Sequence, residues 1–220
     1  MRLGGGRRSR RRGMFLIGVL TVMLCLLPSN LVFALNADDE IAKIQKAYEN
    51  ITDVSGGFTQ KSLIKELKRT DTYKGRFFIK ARKMKWEYGG TSPQSVYIAG
   101  ADIVIYQKNE KQAFRSRFDS NTYGQAPIAL LAGLGDIRQE FDVSAKGEHI
   151  LLLKPKRPMA NISYVELVPS KGEFPIESLT IVDALSNRVD IQLSDVRINT
   201  GLDDGIFKFS PLAGVNVFQQ

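Results

Sequence analysis

The chain has 220 residues, a formal net charge of +8 and a single cysteine, Cys25. Residues 1–34 hold six arginines and no acidic residue, so without them the charge is +2, which gives no general attraction to a polyanion such as nucleic acid. Because Cys25 lies in the same segment, the rest of the chain has neither a disulfide nor a cysteine-ligated zinc site.

The first thirty-four residues have the pattern of a secretory signal peptide. A basic segment precedes an apolar run of fourteen residues, 14–27, which is short for a membrane span. Val32 and Ala34 suit a cleavage site, so we predict a signal peptide over 1–34 and one domain over 35–220. An uncleaved anchor is the alternative. The general secretory route is favoured, although the arginine cluster leaves twin-arginine export open.

Helical periodicity comes first in the remaining chain, and strand periodicity follows it. Asn36 is suited to cap a helix, and apolar residues spaced by three and four predict that helix over 38–51. Gly56 and Gly57 end the helical pattern. Segments with a period of two then predict strands over residues 58–67, 72–80, 84–88, 96–99, 103–107 and 113–118.

The centre of the chain interrupts the strand pattern. Pro127 and Gly133 bound a short apolar segment, which predicts a helix. The apolar phase flips near Ser194 and Asp195, and this flip predicts a β-bulge. Short strands at this spacing are typical of an antiparallel meander, sandwich or barrel. The later strands are predicted from Phe141 and over residues 149–154, 162–168, 175–182, 188–198 and a strand-like 206–209.

No motif in the sequence favours a catalytic or metal site. His149 is the only histidine and adjoins an apolar strand, so we interpret it as a surface residue. Nucleophile-elbow, phosphate-loop and paired-histidine motifs do not occur. A glycosidase pair among Asp183, Asp190 and Asp195 is not excluded by sequence. We nevertheless expect no enzyme activity, cofactor or bound metal.

Residues 73–88 combine six basic and five aromatic side chains, a mixture typical of nucleic-acid surfaces. Strand alternation separates the two kinds, however, because Trp86 and Tyr88 share one face while Lys85 lies on the other. We therefore expect the aromatic residues mostly inside a curved sheet and the basic residues mostly outside it. The inner face is then either protein core or the wall of a ligand cavity, and the pattern alone does not choose between them.

Six short segments occur in a characteristic order. They are Phe-Thr-Gln at 58–60, Gly to Trp-Glu-Tyr over 75–88, Gly to Lys-Gln over 100–112, Pro-Ile-Ala-Leu-Leu at 127–131, Phe-Lys-Phe-Ser-Pro at 207–211 and Gly-Val-Asn-Val at 214–217. Together they resemble the motifs of the LolA family, periplasmic carriers that ferry lipoproteins to the outer membrane. The resemblance covers essentially the whole chain after residue 34.

This resemblance implies a mainly β fold, an unclosed antiparallel half-barrel with a helical lid. It also implies a non-enzymatic chaperone that binds the acyl chains of lipoproteins in a hydrophobic cavity. Combined with the strand alternation, it predicts a set of acyl-chain-binding residues. These are Phe77, Ile79, Met84, Trp86, Tyr88, Ile98, Ile128, Leu130, Leu131, Leu134, Ile191 and Leu193.

The resemblance further implies a monomer in the periplasm of a Gram-negative bacterium, with acylated lipoproteins as cargo. An ABC-type inner-membrane transporter would load the carrier, and an outer-membrane lipoprotein receptor would empty it. The family's Lys-Arg-Pro before the tryptophan is here Lys-Ala-Arg-Lys at 80–83. Arg82 therefore either takes the release-linked role of the family arginine or leaves it unfilled. An envelope-stress sensor and a carrier of another lipid on the same fold are the alternatives.

Overall fold

The computed structural model describes residues 36–81, 83–117, 131, 136–159 and 161–219. All of them fall within the unit Phe33–Gln220. No helix in these ranges is long and apolar enough to cross a membrane. The predictions for residues 1–34, Arg82, Ile128, Leu130 and Leu134 lie outside the described residues.

The first element is the helix α1, Ala37–Glu49, close to the predicted 38–51. The Asn36 side chain caps it by accepting a hydrogen bond from the Asp38 N–H, and the acidic residues of its first turn complement the helix dipole. Ile41 and Ile44 lie on one helical face and are buried, which attaches α1 to the core of the sheet. A second, one-turn helix, α2, covers Ile137–Glu140.

Twelve strands of the described residues form one sheet in the order β12-β6-β5-β4-β3-β2-β1-β11-β10-β9-β8-β7. Neighbours pair antiparallel, except that β12 runs parallel to β6. Because β12 and β7 end the order, the sheet is unclosed, and the predicted fold class is confirmed. The bounds are β1 Asp53–Ile64, β2 Arg69–Lys80, β3 Lys83–Tyr88, β4 Gln94–Ala99, β5 Asp102–Gln107, β6 Gln112–Arg117, β7 Phe141–Lys146, β8 Ile150–Pro155, β9 Ile162–Pro169, β10 Ile176–Asp183, β11 Arg188–Ile198 and β12 Asn216–Gln219.

One face of this sheet carries the core, and we call it the inner face. Its registers align apolar residues from strand to strand, as in the row formed by Val54, Ile79, Met84, Ile98 and Ile103. All five side chains are buried in a single cluster that also includes Ile41 and Ile44 of α1. The inner face is thus packed against the first helix.

The glycine pair at 56–57 lies within a strand, which corrects the prediction that the first strand starts at 58. β1 runs through both residues from Asp53. A Cβ on Gly56 would lie 2.8 Å from the Phe77 ring, and one on Gly57 would lie 2.7 Å from the Ser194 hydroxyl. The glycines therefore permit close approach of neighbouring strands and are compatible with extended structure.

The predicted β-bulge in β11 is confirmed. Ser55 pairs with Arg197 and Gly57 pairs with Ser194, so β11 has one more residue than β1 across this interval. Asp195 lies in the extra stretch and has a φ of 49°. A left-handed residue at a bulge increases the local bend and twist of the strand, which adds to the curvature of the sheet.

The C-terminal segment was predicted incorrectly. In place of a strand over 206–209, the chain forms a 3-10 helix, Asp204–Phe207, and then β12. Phe209 packs against Tyr97 and Tyr106, with ring centroids 5.6 and 5.4 Å apart. Since these two tyrosines alternate with the inner-face residues of β4 and β5, this segment covers the outer face of the sheet.

A buried carboxylate joins the start of β1 to the end of β11. Asp53 is 2% exposed and accepts hydrogen bonds from the N–H and hydroxyl of Thr200 and from the Gly201 N–H, each at 2.9 Å. Burial by itself would raise the pKa of Asp53, but these hydrogen bonds hold that pKa below its ordinary value. The folded state consequently prefers the ionised carboxylate.

We expect Asp53→Asn to lower the free energy of unfolding at pH 7 by about 1–3 kcal/mol, because buried N–H groups lose a charged acceptor. A lowered folded-state pKa stabilises the protein above the unfolded pKa of about 4, and this contribution is lost as pH falls below it. The difference between wild type and variant should therefore shrink in acid. Urea unfolding at pH 7 and pH 3 tests this, and an undiminished difference at pH 3 would contradict it.

Candidate functional site

Five aromatic residues follow one another along the inner face of β1, β2 and β3. Neighbouring ring centroids lie 5.9 Å apart for Tyr73 and Tyr88, 5.3 Å for Tyr88 and Phe58, 4.1 Å for Phe58 and Trp86, and 5.5 Å for Trp86 and Phe77. We call this set the aromatic row. Phe58 and Phe77 both stack on the indole, so Trp86 lies between these two rings in the row.

A glycine makes this packing possible. Gly75 pairs with Phe58 on one side and with Tyr88 on the other. A Cβ there would lie 2.6 Å from the Phe58 ring and 1.9 Å from the carbonyl oxygen of Glu87. The absent side chain leaves the space into which the Phe58 ring folds.

The row runs from an exposed end to a buried end. Tyr73 is 41% exposed, whereas Trp86 and Phe77 are almost fully buried. Tyr88 lies between these extremes and donates a hydrogen bond to the Gln60 side-chain oxygen at 3.0 Å. Burial raises the pKa of Tyr88, so its hydroxyl stays neutral at physiological pH.

The indole N–H of Trp86 is a polar atom inside this apolar surface. Burial raises the pKa of the neighbouring Tyr88 hydroxyl, and the indole N–H acts against this by lowering it. The geometry of the indole N–H nevertheless makes no hydrogen bond, although the atom is buried. The indole N–H and the Tyr88 hydroxyl are therefore polar neighbours within an apolar surface.

The structure places the described members of the predicted site in one cluster. Phe77, Ile79, Met84, Trp86, Ile98, Leu131, Ile191 and Leu193 are buried together. Tyr88 packs against them from a partly buried position. The alternation of the strands therefore identified one continuous surface, but it did not distinguish a core from a binding wall.

Several inner-face residues were absent from the predicted set. Phe58 is the most important of them because it stacks on the indole. It was overlooked because Gly56 and Gly57 hid the period of two in β1, where Val54 and Phe58 alternate with polar residues. Val54 of β1 and Ile103 of β5 were also absent, and the half of the sheet built from β7 to β10 contributes Phe141, Leu151, Leu153, Val165, Leu167, Ile176 and Leu179.

Hydrogen bonds connect α1 to the chain around Leu131. The Tyr48 hydroxyl donates to the Leu131 carbonyl oxygen at 3.0 Å, and the Gln45 amide donates to the Asp136 carboxylate at 3.2 Å. The Leu131 side chain is fully buried in the same cluster as Ile41 and Ile44. Together these contacts hold α1 and Leu131 against the described inner face.

Two surface cavities among the described residues lie away from the aromatic row. One, of about 600 Å³, has Glu40, His149 and Lys171 in its lining. The other, of about 540 Å³, has Lys61, Glu166 and other residues of β1 and β8–β11 in its lining. Neither contains a member of the aromatic row in its lining.

The outer face carries the described basic residues of the 73–88 segment, which are Lys74, Arg76, Lys80, Lys83 and Lys85, as predicted. Arg76 lies over the Phe78 ring at 5.1 Å, and Lys85 lies over Tyr97 at 5.4 Å. Lys85 also forms an ion pair with Glu87, and the Lys83 ammonium lies 3.0 Å from the Asp204 carboxylate. Much of this charge is thus balanced locally. Within the described ranges, no group of three or more metal-ligating side chains is positioned to hold a metal ion.

Comparisons with known proteins relate the chain to one family. The family model described as "Outer membrane lipoprotein carrier protein LolA" matches residues 49–210. An outer-membrane lipoprotein carrier protein of Neisseria meningitidis serogroup C is 28% identical over 178 residues, which cover 78% of this chain and 84% of that protein. The outer-membrane lipoprotein carrier protein of Bordetella avium is 28% identical over 204 residues, which cover 89% of this chain and 92% of that protein.

A solved structure supports the fold independently. The crystal structure of an uncharacterized conserved protein from Thermus thermophilus superposes with a TM-score of 0.54. The sequence identity is 13%, and the superposition covers 83% of this chain and 98% of that one. At this identity the likeness concerns the arrangement of strands and helices alone.

Proposed function

This chain belongs to the LolA family of outer membrane lipoprotein carrier proteins, and we propose that it carries lipoproteins through the periplasm by sheltering their acyl chains against the aromatic row. The single observation that carries the proposal is the family match, which extends over the strands that form the inner face. The continuous apolar surface from Phe77 to Tyr73 supplies the physical means.

Transfer of acyl chains through water requires such a surface. Burial of one methylene contributes about 0.8 kcal/mol, so one sixteen-carbon chain retains a lipoprotein in a membrane by roughly 12 kcal/mol. A carrier must provide comparable apolar contact and yet release its cargo. Met84 and the stacked rings supply contact without a rigid fit, and no chemical reaction is needed.

The proposed route begins at the inner membrane and ends at the outer membrane. An ABC-type transporter would transfer the acylated lipoprotein to a monomeric carrier, and a receptor at the outer membrane would accept it. Because the described inner face is closely packed, loading requires α1 and Leu131 to move relative to the sheet. The transporter would supply the free energy for that opening.

Analysis of the bound cargo tests the proposal. Protein purified from the periplasm should carry polypeptides with acylated N termini, identified by mass spectrometry after mild extraction. Depletion of the protein should leave outer-membrane lipoproteins at the inner membrane. Recovery of a free lipid without polypeptide, together with normal lipoprotein sorting, would contradict the proposal and favour a carrier of another lipid. Recovery of a regulatory protein alone would favour a stress sensor.

The hydrogen bond from Tyr48 to Leu131 provides a more specific prediction. We expect Tyr48→Phe to strengthen binding of a fluorescent acyl probe roughly fivefold, because the packed state loses a hydrogen bond worth about 1 kcal/mol and the open state becomes easier to reach. Tyr97→Phe, which removes a hydroxyl from the outer face, is the matched control and should leave binding unchanged. Fluorescence titration measures both variants, and weaker binding by Tyr48→Phe would disprove the expectation.

A further inference from the structure

The hairpin formed by β1 and β2 projects beyond its neighbour β3. Gly75 of β2 pairs with Tyr88, the last residue of β3, so the stretch 69–74 extends past the end of that strand. A tight turn joins the two strands, closed by a hydrogen bond from the Lys68 N–H to the Lys65 carbonyl oxygen at 3.1 Å. Leu67 lies in this turn and is 65% exposed.

A second exposed leucine lies in the adjacent turn. Leu185, in the turn between β10 and β11, is 74% exposed. The Lys65 N–H donates to the Asn187 side-chain oxygen at 3.0 Å, which ties the two turns together. The Asp183 carboxylate accepts hydrogen bonds from the N–H groups of Leu185 and Asn187, so the second turn is internally braced.

The two turns thus present preformed apolar tips. We refer to the turns 65–68 and 184–187 as the double tip. A single exposed leucine is ordinary on a protein surface, but here two lie on neighbouring braced turns that are joined by a hydrogen bond. Because hydrogen bonds already order both turns, insertion of these side chains into an apolar phase would require little additional ordering.

Basic residues surround the first tip. The stretch 65–74 has four basic residues and two acidic ones. Arg69 and Asp71 pair with each other at 2.9 Å, which leaves three lysines and Glu66, a net charge of +2. The Asp183 carboxylate faces its own turn. Exposed lysines next to apolar side chains complement a surface that is anionic outside and apolar beneath, as a phospholipid bilayer is.

We propose that the double tip docks the protein on anionic phospholipid bilayers, with Leu67 and Leu185 inserted at the boundary between headgroups and acyl chains. Lys65 and Lys68 contact lipid phosphates in this arrangement. The docking is peripheral and reversible, since two leucines bury far less apolar surface than a membrane-spanning element and a few charges add only modest attraction.

This docking goes beyond the carriage of acyl chains and does not depend on it. The two are related by position, because Tyr73, the exposed end of the aromatic row, lies in the same hairpin. Docking through the double tip would therefore turn the exposed end of the row towards the bilayer. An acyl chain transferred by a transporter or a receptor in that bilayer would then have a short path to the row.

Vesicle flotation with the protein purified from the periplasm tests the proposal. Wild type should float with vesicles of phosphatidylethanolamine and phosphatidylglycerol and bind pure phosphatidylcholine vesicles more weakly. The double variant Leu67→Ser/Leu185→Ser should bind the phosphatidylglycerol-containing vesicles at least about tenfold more weakly than wild type does. Leu212→Ser is the matched control: Leu212 is 69% exposed and lies just before β12, which β3–β6 separate from β2. It should bind as wild type does.

A charge variant provides an independent measurement. Lys65→Gln/Lys68→Gln should remove most of the preference for anionic vesicles and most of the salt dependence. The leucine variant should keep the affinity of wild type for a soluble acyl probe, which separates a failure of docking from a failure of carriage. The proposal is overturned if wild type ignores anionic vesicles, if either double variant binds them as wild type does, or if Leu212→Ser loses as much binding as the double leucine variant.

Discussion

Gly75→Ala is expected to lower the free energy of unfolding by at least about 3 kcal/mol and to reduce the yield of folded protein. The new Cβ would lie 1.9 Å from the Glu87 carbonyl oxygen and 2.6 Å from the Phe58 ring. The Glu87 carbonyl oxygen belongs to the backbone of β3, which pairs with β2. The steric clash can therefore be relieved only if these two strands separate. Urea denaturation followed by circular dichroism measures the loss.

Gly89→Ala is the matched control for this substitution. Gly89 directly follows β3, and a Cβ there would lie 3.5 Å from the Lys74 carbonyl oxygen, an ordinary contact. We expect a change of less than about 1 kcal/mol. Equal stability of the two variants would show that the Phe58 ring and β3 adapt easily to a side chain at position 75. The claim that the aromatic row is closely packed around Gly75 would then be wrong.

Trp86→Ala should have the second large effect, a loss of about 3–5 kcal/mol in the free energy of unfolding. The indole is 1% exposed and stacked between Phe58 and Phe77, so its removal leaves a cavity between two rings. The cost comes mainly from the packing that these two rings lose. Thermal and urea unfolding measure it.

Phe78→Ala is the matched control for Trp86→Ala. Phe78 lies on the outer face of β2, where it contacts the cations of Arg76 and Lys85 and is only partly buried. Its truncation should cost less than about 2 kcal/mol and leave binding of an acyl probe unchanged. An outer-face truncation as costly as that of Trp86 would contradict the assignment of the core to the inner face.

Strand alternation predicted the inner face well wherever the period of two was uninterrupted. Residues 84–88 illustrate this, because Met84, Trp86 and Tyr88 do share the face that packs into the cluster. The phase change after Leu193 likewise predicted the bulge that the pairing of β1 and β11 shows. In these stretches the local sequence and the tertiary structure favour the same arrangement, so the alternation of apolar residues was sufficient to predict which side chains lie on the inner face.

Tertiary requirements explain what the pattern missed. Gly56 and Gly57 resemble a break in isolation, but their role depends on Phe77 and Ser194, which are distant in sequence. β12 was missed because a parallel pairing with β6 leaves no local signal in four residues. The distinction between core and ligand wall was equally inaccessible, since both require the same apolar alternation.

The binding of acyl chains at the aromatic row is the central claim, and Trp86 offers a direct measurement because it is the only tryptophan in the chain. A synthetic diacylated lipopeptide with brominated chains should quench Trp86 fluorescence strongly when it binds, whereas its unbrominated counterpart should not. A water-soluble brominated compound should have little effect, since the indole is buried. If the brominated lipopeptide co-purifies with the protein and leaves the fluorescence unchanged, its acyl chains lie elsewhere and the proposed site is wrong.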